Sequence, residues 1–194
     1  EGEHQAILGF NVEVLPNAER ELDQSDVKLF DDDVIYQLVE EYDEYVEELK
    51  RSQQETILDK IIRPARFQIL QDHTFRQSDP AVVGVEIMSG TIKNNTNVAK
   101  FENNEPDRVG QLSGIQAQGE DVSEARAGER VSIAIDGPTV GRQIEEGDEL
   151  WIDLPEKHAK ILEQELSDDI PADELEALSG YLNKRRKRDP FWGK

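Results

Sequence analysis

The side chains that most often carry catalysis are few and scattered in this sequence. The three histidines, His4, His73 and His158, lack the HExxH spacing of a zinc protease. The chain also lacks a GxxxxGK[ST] phosphate-binding loop and a GxSxG nucleophile motif. Asp72 precedes His73 and the two could form an acid/base pair, but a surface turn explains them as well and is the interpretation that we favour. We therefore expect no catalytic residues and no metal site in this chain.

The densest positive charge is the basic cluster "KRRKR" near the end of the chain. Its members could contact the phosphate oxygens of a nucleic acid. Alternatively they could complement the dipole of a helix C-terminus. In so acidic a chain we favour contact with nucleic acid or the ribosome, and we expect the following Phe191 and Trp192 to pack back on the protein. The cluster consists of Lys184, Arg185, Arg186, Lys187 and Arg188.

A second stretch with binding potential is the polar turn that contains Phe75 and Arg76. It precedes a strand-like run that starts at Ala81 and contains Gly84. We expect Phe75 to pack on the rim of the barrel that residues 64–154 are predicted to form. Arg76 is either exposed beside a binding site or paired with a nearby carboxylate, and the residues themselves do not decide between these.

The charge balance of the chain indicates its environment. The 194 residues include 43 acidic and 22 basic side chains, for a formal net charge of -21. The acids are spread along the chain, which favours a surface adapted to high salt over an ordinary acidic protein. There is no cysteine, which excludes disulfides and favours a cytoplasmic location, and no apolar run is long enough to cross a membrane. The chain does not start with Met, and we expect it to be a fragment of a longer protein.

The first third of the sequence follows an α/β pattern and then a helical one. Strand-like stretches at 5–14 and 27–30 flank a helix that Pro16 could start, which predicts a parallel pair. Two strands do not form a stable sheet alone, so we predict the end of a larger domain at 1–30. Apolar residues on one helical face predict a long connecting helix at 31–63, capped by its initial aspartates. The alternative is two helices separated by a break.

From residue 64 the hydrophobic period changes to two. About seven short strands separated by turn residues predict a small antiparallel barrel or sandwich at 64–154. Val131, Ile133 and Ile135 should share its buried face. Two helices should follow at 155–194. The predicted fold class is therefore α+β, with a partial α/β domain, a long connecting helix, a small antiparallel β-barrel and two C-terminal helices.

The second C-terminal helix has a recognisable cap and an apolar face in the sequence. Asp168 or Asp169 lies near the expected cap of this helix. Leu175, Leu178 and Leu182 follow at helical spacing and should share one face.

Six segments, in this order, resemble the C-terminal portion of archaeal and eukaryotic translation initiation factor five B, whose bacterial relative is initiation factor two. The most specific motifs are the Phe-Arg, Pro-Ala and Gly-Val steps of 75–85 and the terminal "DPFWG". The acidity of the chain resembles that of haloarchaeal members. The segments are "AILGFNV", "VKLF" with "VIYQLVEEY", "FRQSDPAVVGVEIMSGTIK", "VGQLSGIQ", "ARAGERVSIAIDGPTVGRQIEEGDELW" and "KRRKRDPFWG".

The resemblance implies a division of the chain and a function. Residues 1–30 would end the third domain, 31–63 would form the long helix, 64–154 a barrel of the translation-GTPase domain-two type, and 155–194 two extra helices. GTP and Mg would belong to a GTPase domain upstream, so no cofactor is expected here. The barrel would bind the methionylated end of initiator tRNA, and the protein would promote ribosomal subunit joining. The alternative is a module that docks on another initiation factor or the ribosome without recognising tRNA.

Motif matching within the resemblance implies a set of residues at the tRNA acceptor end. The bacterial pattern has a basic pair where Gln116 and Ala117 stand and Cys where Val85 and Val131 stand; an unformylated methionine would account for some change. We expect a shallow cleft lined by Val85 and Val131, with Arg130 and Gln116 as hydrogen-bond donors. The set comprises Arg76, Val85, Gln116, Ala117, Gln118, Arg130, Val131 and Ser132.

The resemblance also implies a partner for the two terminal helices. In eukaryotic relatives they receive the C-terminal tail of initiation factor one A. Here the leucine face formed by Leu175, Leu178 and Leu182, together with the basic cluster, would receive that tail or contact the ribosome.

Overall fold

The computed structural model of the protein describes residues 5–194, except for the side chains of residues 54, 55 and 59. The chain forms two compact units that divide between Asp59 and Lys60. Within the described range, no helix is both long and apolar enough to cross a membrane.

The first unit begins with a parallel β-α-β arrangement. Strand β1 (Ala6–Phe10) pairs in parallel with β2 (Lys28–Asp32), and helix α1 (Pro16–Leu22) lies between them in sequence. Pro16 occupies the first turn of α1, where a missing N–H costs nothing. The strand and helix predictions are confirmed. Ile7 and Phe10 remain about half exposed on this two-stranded sheet, and the assignment of 1–30 to a larger domain stays a prediction.

The connecting helix is a single element, α2 (Ile35–Lys60), so the alternative of two helices separated by a break is wrong. Its 26 residues span about 39 Å at 1.5 Å per residue. Before its first turn, the carboxylate of Asp32 accepts a hydrogen bond of 2.6 Å from the N–H of Val34. Phe30 of β2 packs against Tyr45 of the helix, with ring centroids 5.2 Å apart. The helix therefore holds to its own unit through an aromatic contact near its start.

The second unit is built on a closed, six-stranded antiparallel barrel, which decides between the predicted barrel and sandwich. Its strands follow the order β3-β10-β5-β6-β9-β4, and β3 pairs with β4 to close the ring. Two short strands add to the rim, β7 beside β6 and β8 beside β4. The bounds are β3 Ala65–Arg76, β4 Ala81–Lys93, β5 Asn97–Glu102, β6 Glu105–Ala117, β7 Glu120–Val122, β8 Glu124–Arg126, β9 Arg130–Asp136 and β10 Glu149–Ile152.

Alternation along the strands fills the barrel. Val131, Ile133 and Ile135 are buried as predicted, whereas the residues between them lie on the outer face. β4 is one continuous strand of 13 residues, and Gly90 allows it to continue. Gly90 has a φ of +82°, and a Cβ there would lie 2.0 Å from the carbonyl oxygen of Pro64.

Two C-terminal helices, α3 (Glu156–Gln164) and α4 (Ala172–Arg188), complete the second unit. The N-cap of α4 is Pro171, and Asp168 and Asp169 lie near it as predicted, in the turn between the helices. Tyr181 of α4 is buried and meets the Phe101 ring edge-on, with centroids 5.1 Å apart. This aromatic contact packs α4 on the barrel.

The segment that leads into β3 is held by both terminal helices. The N–H of Ile62 donates to Nδ1 of His158 at 3.1 Å. Arg63 donates from Nε to Glu174 at 2.6 Å, and the hydroxyl of Thr91 donates to the same carboxylate at 2.7 Å. Glu174 is only 1% exposed. The terminal helices thus fix the chain where it enters the barrel.

The hydrogen bond at His158 predicts a pH dependence. Burial lowers the pKa of His158 below its ordinary value, and nearby Lys157 lowers it further. The folded pKa is below the unfolded one, so the stability from the neutral ring is complete above about pH 6.5 and is lost as the pH falls through the folded pKa. We expect the difference in unfolding free energy between wild type and His158→Ala to shrink as the pH falls from about 7.5 to about 5. A difference that stays constant over this range in urea titrations would contradict the assignment.

Candidate nucleic-acid interface

Three adjacent strands place a row of residues on the outer face of the barrel. Gly84 of β4 lies opposite Ser132 of β9, which lies opposite Gln116 of β6. The neighbours Val85 and Val131 are buried, because alternate side chains of a strand point to opposite faces. The register of three strands therefore assembles the floor of a site from residues far apart in sequence.

A bulge in β3 forms one wall of this site. Pairing with β4 is irregular between Ile69 and Thr74, and Asp72 has a φ of 58°. His73 then lies over Gly84, where a Cβ would come within 2.9 Å of the His73 Cβ. Nδ1 of His73 lies 2.6 Å from the carbonyl oxygen of Gln71, which makes this nitrogen the donor. Gly84 is thus the residue type that the bulge requires.

Phe75 continues the same wall. Its ring meets His73 edge-on, with centroids 6.5 Å apart, and is 64% exposed. The prediction that Phe75 packs on the barrel rim is confirmed only in its contact with His73, because most of the ring stays exposed. The two rings form an accessible aromatic surface.

The floor and the wall enclose a cleft of about 420 Å³. Five of the eight residues proposed for the tRNA acceptor end line it. Sequence reasoning did not propose the cleft residues His73, Phe75 and Gly84 as ligand contacts. A glycine inside a strand and an aromatic residue in a polar turn were the available signals. The five proposed residues that line the cleft are Gln116, Gln118, Arg130, Val131 and Ser132.

Three proposed contacts do not line the cleft. Val85 is fully buried in the barrel, so the expected apolar contact at this position is wrong; alternation along β4 gives the outer face to Gly84 instead. Ala117 is also outside the lining. Arg76 is exposed but donates to the carbonyl oxygen of Asp79 at 3.3 Å. Among the described side chains no carboxylate pairs with Arg76, so exposure is the alternative that the structure supports.

The predicted donors of the cleft are partly engaged by carboxylates. Arg130 donates from Nε and Nη2 to one oxygen of Glu86, at 3.1 and 2.9 Å. Gln116 donates to Asp121 at 2.8 Å. A guanidinium has five N–H groups, so Arg130 keeps further donors. Glu86 partly neutralises its charge, which favours short-range hydrogen bonding over long-range attraction.

The basic cluster is largely engaged inside the second unit. Lys184 lies over the Phe101 and Trp151 rings, and Arg185 lies 4.7 Å from the Trp192 ring centroid. Arg186 forms two hydrogen bonds of 2.6 Å with Glu163 and thereby lowers the pKa of that carboxyl. Arg188 pairs with Glu105. Four of the five cations thus have partners within the second unit, and contact of the cluster with nucleic acid or the ribosome stays a prediction.

The leucine face and the terminal aromatics divide between core and surface. Leu178 and Leu182 are buried within the unit, so they do not offer a surface to a partner; Leu175 is 38% exposed. Trp192 is buried as predicted, whereas Phe191 is 80% exposed. Leu178 and Leu182 are buried because α4 uses their face to pack on the barrel.

The Asp72–His73 pair does not form an acid/base dyad, because Nδ1 of His73 bonds a backbone oxygen. Across residues 5–194, no group of three or more histidine or acidic side chains could hold a metal ion. His4 lies outside the described residues. The surface-turn interpretation of Asp72 and His73 therefore fits the structure.

Comparison with known proteins identifies the family. The family models described as Translation-initiation factor 2 and Elongation factor Tu domain 4 match residues 1–43 and 63–151. A protein named probable translation initiation factor IF-2 from Halorubrum lacusprofundi is 73% identical over 99% of this chain. The chain belongs to the IF-2/aIF5B family of translation initiation factors. A protein with the same name as the Halorubrum relative, from Haloquadratum walsbyi, is 72% identical over 100% of the chain.

A solved structure of the IF-2/aIF5B family has the same fold. The crystal structure of GDP-bound aIF5B from Aeropyrum pernix is 35% identical and covers 97% of this chain with a TM-score of 0.67. The chain spans about a third of these proteins: 32% of the Halorubrum relative and 31% of the Aeropyrum protein. Two similar relatives are haloarchaeal, which supports the salt-adapted interpretation of the net charge of -21.

Proposed function

We propose that this IF-2/aIF5B region is non-catalytic and binds the methionylated acceptor end of initiator tRNA in the cleft. Within the full-length protein, in the cytoplasm, it would thereby promote joining of the ribosomal subunits. The observation that carries the proposal is the convergence of Gln116, Gln118, Arg130 and Ser132, from separate strands and turns, on one cleft beside the exposed ring of Phe75.

The chemistry of the cleft suits an aminoacylated RNA end. Exposed bases of single-stranded RNA stack on aromatic rings, and Phe75 and His73 provide such faces. Arg130 and Ser132 provide donors for phosphate, ribose or ester oxygens. Leu70 gives the lining an apolar part for a methionine side chain. At high salt, the contribution of stacking and hydrogen bonds to affinity falls less than the contribution of counterion release.

The remaining family functions are assigned to other surfaces or to the rest of the protein. GTP and Mg would bind to the part of the full-length protein outside this chain. Initiation factor one A or the ribosome would meet the exposed side of α4 near Leu175, because Leu178 and Leu182 are buried. The second unit could alternatively be a docking module that does not recognise tRNA, and the exposed Phe191 ring is the feature that favours it.

Substitution of Arg130 tests the proposal. In molar KCl, wild type should slow spontaneous hydrolysis of the methionyl ester of initiator tRNA. Arg130→Ala should weaken this protection about tenfold, because hydrogen bonds to charged groups contribute about 1.5 kcal/mol or more. Hydrolysis rates at increasing protein concentration would give the apparent Kd.

Arg126→Ala is the matched control. Arg126 is also exposed and also pairs with a glutamate, Glu124, but it lies outside the cleft. Protection should be unchanged in this variant. Equal loss in both variants would contradict a site at the cleft, and no protection by wild type at high concentration would favour the docking module.

A further inference from the structure

The turn before β10 is joined to the strand that bears the aromatic wall. The N–H of Gly147 donates to the carbonyl oxygen of Ile69 at 2.9 Å. The N–H of Ile69 donates to the carbonyl oxygen of Asp148 at 3.0 Å. The side-chain amide of Gln68 donates to the Gly147 carbonyl at 3.0 Å. These bonds extend the pairing of β3 up to the start of its bulge.

Glu146 in this turn holds the bulge on both sides of His73. One carboxylate oxygen accepts a hydrogen bond of 2.9 Å from the N–H of Asp72. The other accepts one of 2.7 Å from the hydroxyl of Thr74. Both bonds favour the charged carboxylate, and they lower the pKa of Glu146. A single side chain therefore spans the three residues at the apex of the bulge.

The turn that carries Glu146 is itself fixed. The carboxylate of Asp148 accepts a hydrogen bond of 2.8 Å from the N–H of Glu145 and pairs with Lys100 of β5 at 2.7 Å. Glu146 therefore acts from a support that is bonded to a barrel strand, which is what a positioning group requires.

The bulge needs such support because its backbone is irregular. The pairing of β3 with β4 is shifted between Ile69 and Thr74, and Asp72 adopts a positive φ that a non-glycine residue seldom takes. The conformation places His73 over Gly84 and exposes Phe75. Loss of the two bonds would free the bulge to return toward regular pairing.

We propose that Glu146 is a positioning residue for the cleft: it does not touch the ligand but holds the β3 bulge so that His73 and Phe75 form the aromatic wall. This inference rests on the proposed function, because the wall matters only if the cleft takes an RNA end. Glu146 is not among the residues that line the cleft.

The test compares Glu146→Ala with Glu145→Ala and Glu146→Gln. Glu145 is the adjacent exposed acid, so its variant loses the same charge without losing the bonds to the bulge. Two quantities are measured in the 194-residue chain: amide hydrogen exchange at Asp72 without ligand, and protection of methionylated initiator tRNA in molar KCl. For Glu146→Ala we expect about tenfold faster exchange and about tenfold weaker protection, as two lost hydrogen bonds imply. Glu146→Gln keeps one acceptor oxygen and should be intermediate, and Glu145→Ala should match wild type.

The outcomes separate this inference from the proposed function. If wild type protects the ester and Glu146→Ala protects it equally, the positioning role is overturned while the proposed function stands. Unchanged exchange at Asp72 in Glu146→Ala, or equal losses in the Glu145 variant, would also overturn it. If wild type gives no protection, the proposed function fails and the positioning role fails with it.

Discussion

Replacement of Gly84 by valine should weaken protection of the methionyl ester by roughly thirtyfold or more, equivalent to about 2 kcal/mol. A Cβ at this position already comes within 2.9 Å of the His73 Cβ, so the larger side chain must displace the wall and fill the floor of the cleft. Valine suits a β-strand, so the barrel should still form. Hydrolysis of the ester in molar KCl measures the effect, and circular dichroism checks the fold.

Alanine at two strand glycines provides the matched comparison. Gly84→Ala should weaken protection, because its methyl group meets His73. Gly114→Ala should leave protection unchanged, because a Cβ there has only an ordinary contact of 3.7 Å with Ala134. If Gly84→Val folds and protects the ester as wild type does, the ligand does not bind in this cleft.

Glu174→Ala should lower the free energy of unfolding of the second unit by about 3 kcal/mol. Its carboxylate is 1% exposed and accepts hydrogen bonds from Arg63 at 2.6 Å and from Thr91 at 2.7 Å. Removal of this carboxylate leaves the Arg63 guanidinium, which is only 18% exposed, without its partner. Loss of one member of a buried pair costs far more stability than loss of a surface pair. Urea unfolding at fixed KCl, followed by the fluorescence of the buried Trp151 and Trp192, measures the change.

Glu176→Ala is the control on the same helix. Glu176 pairs with Arg66 at 3.1 Å, but its side chain is 64% exposed, so the variant should lose no more than about 1 kcal/mol. A loss in Glu174→Ala no larger than in the control would mean that the buried carboxylate does not stabilise the entrance to the barrel.

The hydrophobic pattern alone determined the kinds of element and their order. Period-two alternation predicted the strands of the barrel, and the helical face after residue 31 predicted α2. Pro16 marked the start of α1. These features are local, because each depends on residues within one or two turns of helix or along a single strand. The resemblance placed Gln116, Arg130 and Ser132 in one set, which periodicity could not do, and the structure brings all three to one cleft.

Only the tertiary structure decided which side chains are available. Alternation within β4 permitted either Val85 or Gly84 to face the site. The pairing of β4 with β9 and of β9 with β6 sets Gly84 beside Ser132 and Gln116, while Val85 is buried in the barrel. The bulge that exposes Phe75 depends on Glu146, which lies some seventy residues away in the chain. Lys184 and Leu178 are engaged because α4 packs on the barrel. Strand register, bulges and helix docking are set by contacts between distant segments, and a pattern confined to neighbouring residues does not contain them.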